Sequence, residues 1–467
     1  MPAMPELLSP AGTYKSMRYA FAYGADAVYA GQPRYSLRVR NNEFNHLDIM
    51  AEAVAEAHNQ GKQFYIASNI TPHNNKVRTY IRDMAEVIAM GPDALIMSDP
   101  GLIMLVREKW PDIPIHLSVQ ANAVNYATVK FWYKQGVSRV ILSRELSIDE
   151  IQEIREECPG MELEVFVHGA LCIAYSGRCL LSGYMNHRDP NQGACTNACR
   201  WKYQAHPAQQ DELGNISPID PNVPSWNPGT NVPSWNPGDS TEQAGGPADD
   251  QGFDEPPLVL LQEANRPDEF MPAYEDEHGT YIMNSKDLRA VQHVPRLIDM
   301  GIHSLKIEGR TKSHYYVART AQTYRRAIDE AVNGKPFDMS LMGELDHLAN
   351  RGYTEGFYRR HVPESYQNYG KGASSNSKQQ FVGEVADADT SKGWLTIDVK
   401  NRFETGDTLE LITPQGNHLF QLDNLENTEG TKMSAAPGSG HVVRIPVGDM
   451  GLSSIDPHAL LMRYLPQ

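Results

Sequence analysis

Apolar positions along the chain recur in short blocks that end in polar residues. Eight such blocks stand out: ELLSP (6–10), GADAVYAG (24–31), QFYIASN (63–69), GPDALIMSD (91–99), PIHLSVQ (114–120), GVSRVILSRE (136–145), LEVFVHG (163–169) and GIHSLKIEGR (301–310). Rich in Val, Ile, Leu and aromatics, each predicts a short strand. Amphipathic stretches at helical spacing alternate with them, such as SIDEIQEIREE (147–157), where Ser147 and Glu150 form a capping box. Eight strands alternating with helices predict an α/β fold, a (β/α)8 TIM-like barrel, with a doubly wound open sheet as the alternative. YIMNSKDL (281–288) predicts a ninth strand or part of an excursion.

After residue 378 the rhythm changes. QQFVGEVAD, WLTIDVK, DTLELITP and NHLFQLDNLE alternate with turn signals such as ETGD and PQGN. Strands at this spacing predict a small C-terminal antiparallel β-barrel over 379–467, behind a catalytic barrel domain over 1–378.

In such a barrel the chemistry sits at the C-terminal ends of the strands. The polar residues there are Ser9, Asn69, Ser98, Asp99, Gln120, Ser143, Arg144, Glu145, His168, Lys306, Glu308 and Arg310. Ser9, Ser98 and Asp99 each precede a helix and can equally be caps. Lys306, Glu308 and Arg310 alternate onto one face. They are either working groups or a structural ion pair at the mouth.

Composition narrows the class. The chain has 467 residues, 40% hydrophobic and 21% charged, which excludes a disordered chain. No run approaches the roughly 18 apolar residues of a membrane span. The N-terminus lacks the pattern of a signal peptide. Five cysteines are too few for a disulfide scaffold, so a soluble cytoplasmic protein is expected. The net charge of −16 is concentrated in one segment: residues 204–278 hold fifteen acids and one base, Arg266, against 41 bases and 43 acids elsewhere. A basic surface therefore remains open to the folded core. Within that segment NVPSWNPG occurs twice, at 222–229 and 231–238, and residues 204–256 predict a partly disordered acidic insertion.

Four cysteines fall within 28 residues as C-x6-C-x15-C-x3-C: Cys172, Cys179, Cys195 and Cys199. Clustered thiols in a cytoplasmic chain favour a metal over disulfides. Zinc, an iron–sulfur cluster and redox-switching thiols all stay open on spacing alone. Cys158 stands apart as an ordinary thiol.

ELEVFVHGALCIAYSGRCLLS (162–182) resembles the signature of peptidase family U32, on Glu164, Phe166, His168, Gly169, Ala170, Leu171, Cys172, Gly177, Cys179 and Ser182. PELLSPAG, GADAVYAG, YSLRVR, SLKIEGR and NRGYTEGF are also similar to the family. The family includes collagenase-like proteases and hydroxylases acting on RNA or quinone precursors. Chain length and the C-terminal module are most similar to its prephenate-dependent hydroxylases of the tRNA wobble uridine. That resemblance implies a 4Fe–4S cluster on the four cysteines, prephenate as a dicarboxylate co-substrate, tRNA as partner and an electron donor.

Carboxylates call for guanidinium forks, which points to Arg38, Arg40 and Arg310, with Asn69 beside them, as substrate-binding residues. His168, Glu308 and Lys306 are the acid–base candidates. Arg200, Trp201 and Lys202 are the RNA-binding candidates, with Tyr35 as a further stacking platform. The protease alternative would need a nucleophile, for which only Cys172 with His168 can be drawn; no G-x-S-x-G or H-E-x-x-H occurs.

Overall fold

The computed structural model describes residues 4–37, 43–171, 203–210, 216–218, 259–263, 270–273, 275–276, 279–280, 287–346, 348, 352–359, 379–389, 393–446 and 456–465. All eight expected strands form: β1 (Glu6–Pro10), β2 (Ala27–Gly31), β3 (Gln63–Ser68), β4 (Ala94–Met97), β5 (Ile115–Leu117), β6 (Arg139–Ile141), β7 (Glu162–Ala170) and β8 (Ser304–Ile307). They pair in parallel in chain order, and β8 pairs with both β7 and β1. The sheet therefore closes into an eight-stranded barrel, and the open-sheet alternative falls.

The reason is local. The strands are buried on both faces, and each is followed by a chain that turns back along the outside. The helices are α1 (Tyr14–Ala22), α2 (Leu47–Asn59), α3 (Asn74–Ala89), α4 (Pro100–Lys109), α5 (Tyr126–Lys134), α6 (Ile148–Glu157), α7 (Val294–Asp299) and α8 (His314–Val332), with a short α9 (Ser340–Asp346) after the last strand's helix. The capping box of α6 forms in both directions between Ser147 and Glu150. Asp99 caps α4 by accepting from the amide of Leu102 at 2.9 Å. Ser9 and Ser98 cap nothing: Ser98 donates to the Asn69 carbonyl at 3.0 Å, and Ser9 is buried in the strand.

Between β7 and β8 the chain makes an excursion. Residues 287–289 return antiparallel to β7, the ninth strand anticipated near 281–288, and pair in parallel with Tyr353–Thr354. At the start of the acidic insertion expected over 204–256, Tyr203–Gln210 and Ile216–Pro218 are strands; with Val259–Glu263 and Phe270–Ala273 they form a four-stranded antiparallel sheet in a separate compact unit. Both NVPSWNPG copies lie outside the described residues.

The C-terminal module is a seven-stranded antiparallel sheet with its own core of Val382, Leu395, Ile397, Leu409, Leu411, Val443, Ile445 and Leu461. It belongs to the same compact unit as the barrel. Lys15 pairs with Glu384, and the Tyr23 hydroxyl donates to the carbonyls of Ile412 and His458, both at 3.0 Å. No helix among the described residues is long and apolar enough to cross a membrane.

Candidate active site at the barrel mouth

Alternation along the strands sorts inward from outward side chains. The lowest inward layer is ionic. Arg139 on β6 reaches Glu6 at 2.6 Å, Glu162 at 2.9 Å and Glu164 at 3.3 Å. Ser304 donates to Glu6 at 2.8 Å. His116, wholly buried beside Arg139 and Lys306, is held neutral by desolvation and by those two charges.

One step higher, the Lys306 ammonium meets Glu164 at 2.7 Å, and both side chains are almost fully buried. Lys306 lies over the ring of Tyr29 at 4.3 Å and over Phe166 at 5.6 Å. Burial pushes its pKa down while Glu164 opposes that shift.

Above this pair lies the mouth. Glu308 is 7% exposed and accepts from the Tyr29 hydroxyl at 3.1 Å. Arg310 lies over the same ring at 5.8 Å, and its Nη1 donates to Ser36 Oγ at 2.7 Å. Gly31 makes room for it, since a Cβ there would stand 2.4 Å from Arg310 Nη1. Asn69 donates through Nδ2 to Ser118 Oγ at 3.2 Å and accepts from the Leu37 amide at 3.4 Å. Arg144 stacks on Phe166 at 3.8 Å and donates to the Ala170 carbonyl at 3.0 Å. The predicted Lys306, Glu308 and Arg310 thus gather around the Tyr29 ring at the mouth, with Asn69 at the end of the neighbouring β3.

Lys306 differs from expectation in one respect. Its partner is Glu164 rather than Glu308, so it reads as a buried ion pair beneath the mouth. Sequence reasoning passed over Tyr29, Arg139 and Glu164 as site builders. Their signal was a polar or aromatic residue two positions from another inward one.

His168 is displaced from the expected chamber. The β7–β8 register shifts so that Lys306 pairs with Phe166 while Ile307 pairs with His168. In parallel strands paired residues share a face, so His168 points the way Ile307 does, opposite to Lys306 and Phe166. Gly169, at φ +102°, accommodates the shift; a Cβ there would lie 2.5 Å from the Glu308 carbonyl oxygen. His168 sits among Tyr316, Tyr324 and Tyr353, with Nδ1 3.4 Å from the Tyr324 hydroxyl and Nε2 3.5 Å from the Tyr353 hydroxyl. Desolvation first, then the charges of Lys312 and Arg289, lowers its pKa to about 3. It is a neutral side chain packed outside the chamber.

Tyr35 is not a stacking platform either. It is fully buried and edge-on to Tyr80, with its hydroxyl on Asp83 at 2.7 Å. Cys158 is a buried free thiol, as expected of an ordinary one. Arg38, Arg40, Arg200, Trp201, Lys202 and the four clustered cysteines lie outside the described residues. Among the described residues no group of three or more His, Cys, Asp or Glu side chains could hold a metal.

The sequence model of peptidase family U32 matches residues 12–368, and that of the U32 C-terminal domain matches 377–462. The chain is 61% identical over 461 residues to tRNA hydroxylation protein P of Escherichia coli strain K12, covering 98% of this chain and 96% of the relative. It is 59% identical over 462 residues to tRNA hydroxylation protein P of Haemophilus influenzae, with 99% and 96% covered. A more distant relative, the 23S rRNA 5-hydroxycytidine C2501 synthase of E. coli, is 28% identical over 437 residues, covering 91% of this chain and 55% of the relative. The chain belongs to peptidase family U32.

Proposed function

We propose that this protein is an RNA-hydroxylating enzyme that forms 5-hydroxyuridine at the wobble position of tRNA in the cytoplasm. The reading includes prephenate as co-substrate and a 4Fe–4S cluster on Cys172, Cys179, Cys195 and Cys199. The observation that carries it is the match, over nearly the whole of both chains, to relatives named for tRNA hydroxylation.

The mouth supports it chemically. Arg310, braced by Ser36 and Tyr29, binds a carboxylate of the co-substrate through its fork. Arg38 and Arg40 follow Ser36 in sequence and serve the second carboxylate. Asn69 offers an amide to a substrate edge. Glu308, fixed by the Tyr29 hydroxyl, is the proton-exchanging group. Lys306 stays paired with Glu164 and keeps a positive charge beneath Glu308. A wobble base must leave its stack to enter such a chamber, where Phe166 and Tyr29 supply an apolar floor. Arg200, Trp201 and Lys202 are the RNA contacts anticipated on the excursion. When bound, the cluster supplies redox or Lewis-acid chemistry.

The test is nucleoside analysis of tRNA from cells lacking this protein and any second hydroxylation route. Loss of 5-hydroxyuridine derivatives, restored by wild type but not by Cys172→Ala, is expected. Unchanged derivatives overturn the tRNA reading, and lost ribosomal hydroxycytidine would transfer it to ribosomal RNA. Anaerobically purified protein should absorb near ~400 nm and carry iron; stoichiometric zinc without iron overturns the cluster.

A further inference from the structure

On this acidic chain, two sequence segments carry cations and no acid: RYSLRVR (34–40), with three arginines, and TPHNNKVRTYIR (71–82), with Lys76, Arg78 and Arg82. They follow β2 and β3, which are neighbours in the barrel. Asn69, at the mouth, is five residues before the start of α3. The described cations here are Arg34, Lys76, Arg78 and Arg82.

Tyr35 fastens the first segment to the second. Its hydroxyl donates to Asp83 at 2.7 Å and lies 2.8 Å from Thr79 Oγ1, both on α3. This brings Arg34 to the same carboxylate at 2.6 Å, while Arg82 reaches its other oxygen at 2.9 Å. One acid holds two guanidiniums, and their side chains stay 50% and 75% exposed. Lys76 is partly buried and close enough to Arg34 for the two charges to repel. Arg78 is exposed and has no ion-pair partner among the described residues. Lys76 to Arg82 spans about 9 Å of helix, starting at the rim and running down the outside. Two arginines on one carboxylate, with Lys76 and Arg78 on the same helix, are a surface suited to a polyanion. No Phe, Tyr or Trp side chain is exposed among them, so the chemistry they read is the sugar–phosphate backbone.

We propose that Arg34, Lys76, Arg78 and Arg82 form a phosphate track that holds RNA across the rim while one base enters the mouth; this rests on the RNA reading above. The track is electrostatic and independent of sequence, so its signature is salt dependence.

The test is binding of a labelled tRNA transcript to the full-length protein at several salt concentrations, read by fluorescence anisotropy. Arg78→Glu with Arg82→Glu should raise Kd about tenfold or more at low salt. It should also lower the steepness of log K against log salt by one to two. Lys109→Glu, exposed at the far end of α4, should leave both unchanged. Arg78→Gln, which breaks no ion pair, keeps the test readable if the double variant is unstable; a smaller change in the same direction is expected. Unchanged affinity and slope in these variants, with wild type binding tRNA normally, overturns the track and leaves the RNA reading standing. A wild type that does not bind tRNA overturns both.

Discussion

At the scale of single residues, the chamber rests on paired charges. Arg310 is held over Tyr29 by Ser36, so its fork is presented and not searching. Arg310→Lys replaces that fork by a point charge. The KM for the proposed dicarboxylate co-substrate is expected to rise on the order of tenfold with little change in folding, measured by steady-state kinetics on tRNA. The Lys306–Glu164 pair makes a different prediction. Glu164→Gln leaves an unpaired buried ammonium and should cost about 3–5 kcal/mol of stability, whereas Glu164→Met with Lys306→Met should cost much less. Denaturant titration of these two variants beside wild type measures the difference. His168, with its pKa lowered to about 3, stays neutral in the fold while the unfolded chain protonates near 6.5. Between those values the unfolded state binds the extra proton. Its contribution is therefore fully present above pH ~6.5 and is lost as pH falls toward ~3. A His168→Asn variant should show a shallower decline of stability across that window.

At the scale of elements, the strands were the most legible part of the chain. All eight barrel strands were readable because each is a short apolar run buried on both faces and bounded by turn residues. The polar ends of β3 and β8 read correctly for the same reason: alternation aligns Lys306 and Glu308, and Asn69 follows the last strand residue. His168 did not, because alternation fails across a register shift, and nothing in LEVFVHG announces one apart from Gly169. Tyr35 misled for a related reason. An aromatic in a polar loop resembles a platform until the helix that covers it is known. The pairing of Tyr203–Gln210 with Val259–Glu263 joins segments more than fifty residues apart, which local pattern does not reveal. Residues 219–245, rich in Pro, Gly and Asn, lack a periodic apolar face. Deleting them should leave soluble yield and bound iron unchanged; insoluble protein or lost iron would show that the segment supports the fold.

At the scale of the whole molecule, the barrel and the C-terminal sheet form one unit, joined by Lys15 with Glu384 and by the Tyr23 hydroxyl. The mouth opens where β7 ends, and Cys172 follows that end by two residues in the chain. Under the proposed function, this mouth is where the RNA base is hydroxylated. The measurement that tests it most directly is the wobble 5-hydroxyuridine content of tRNA in deletion cells expressing Glu308→Gln or His168→Asn at wild-type protein level. The account predicts loss of the modification with Glu308→Gln and its retention with His168→Asn. Full modification with Glu308→Gln would contradict it.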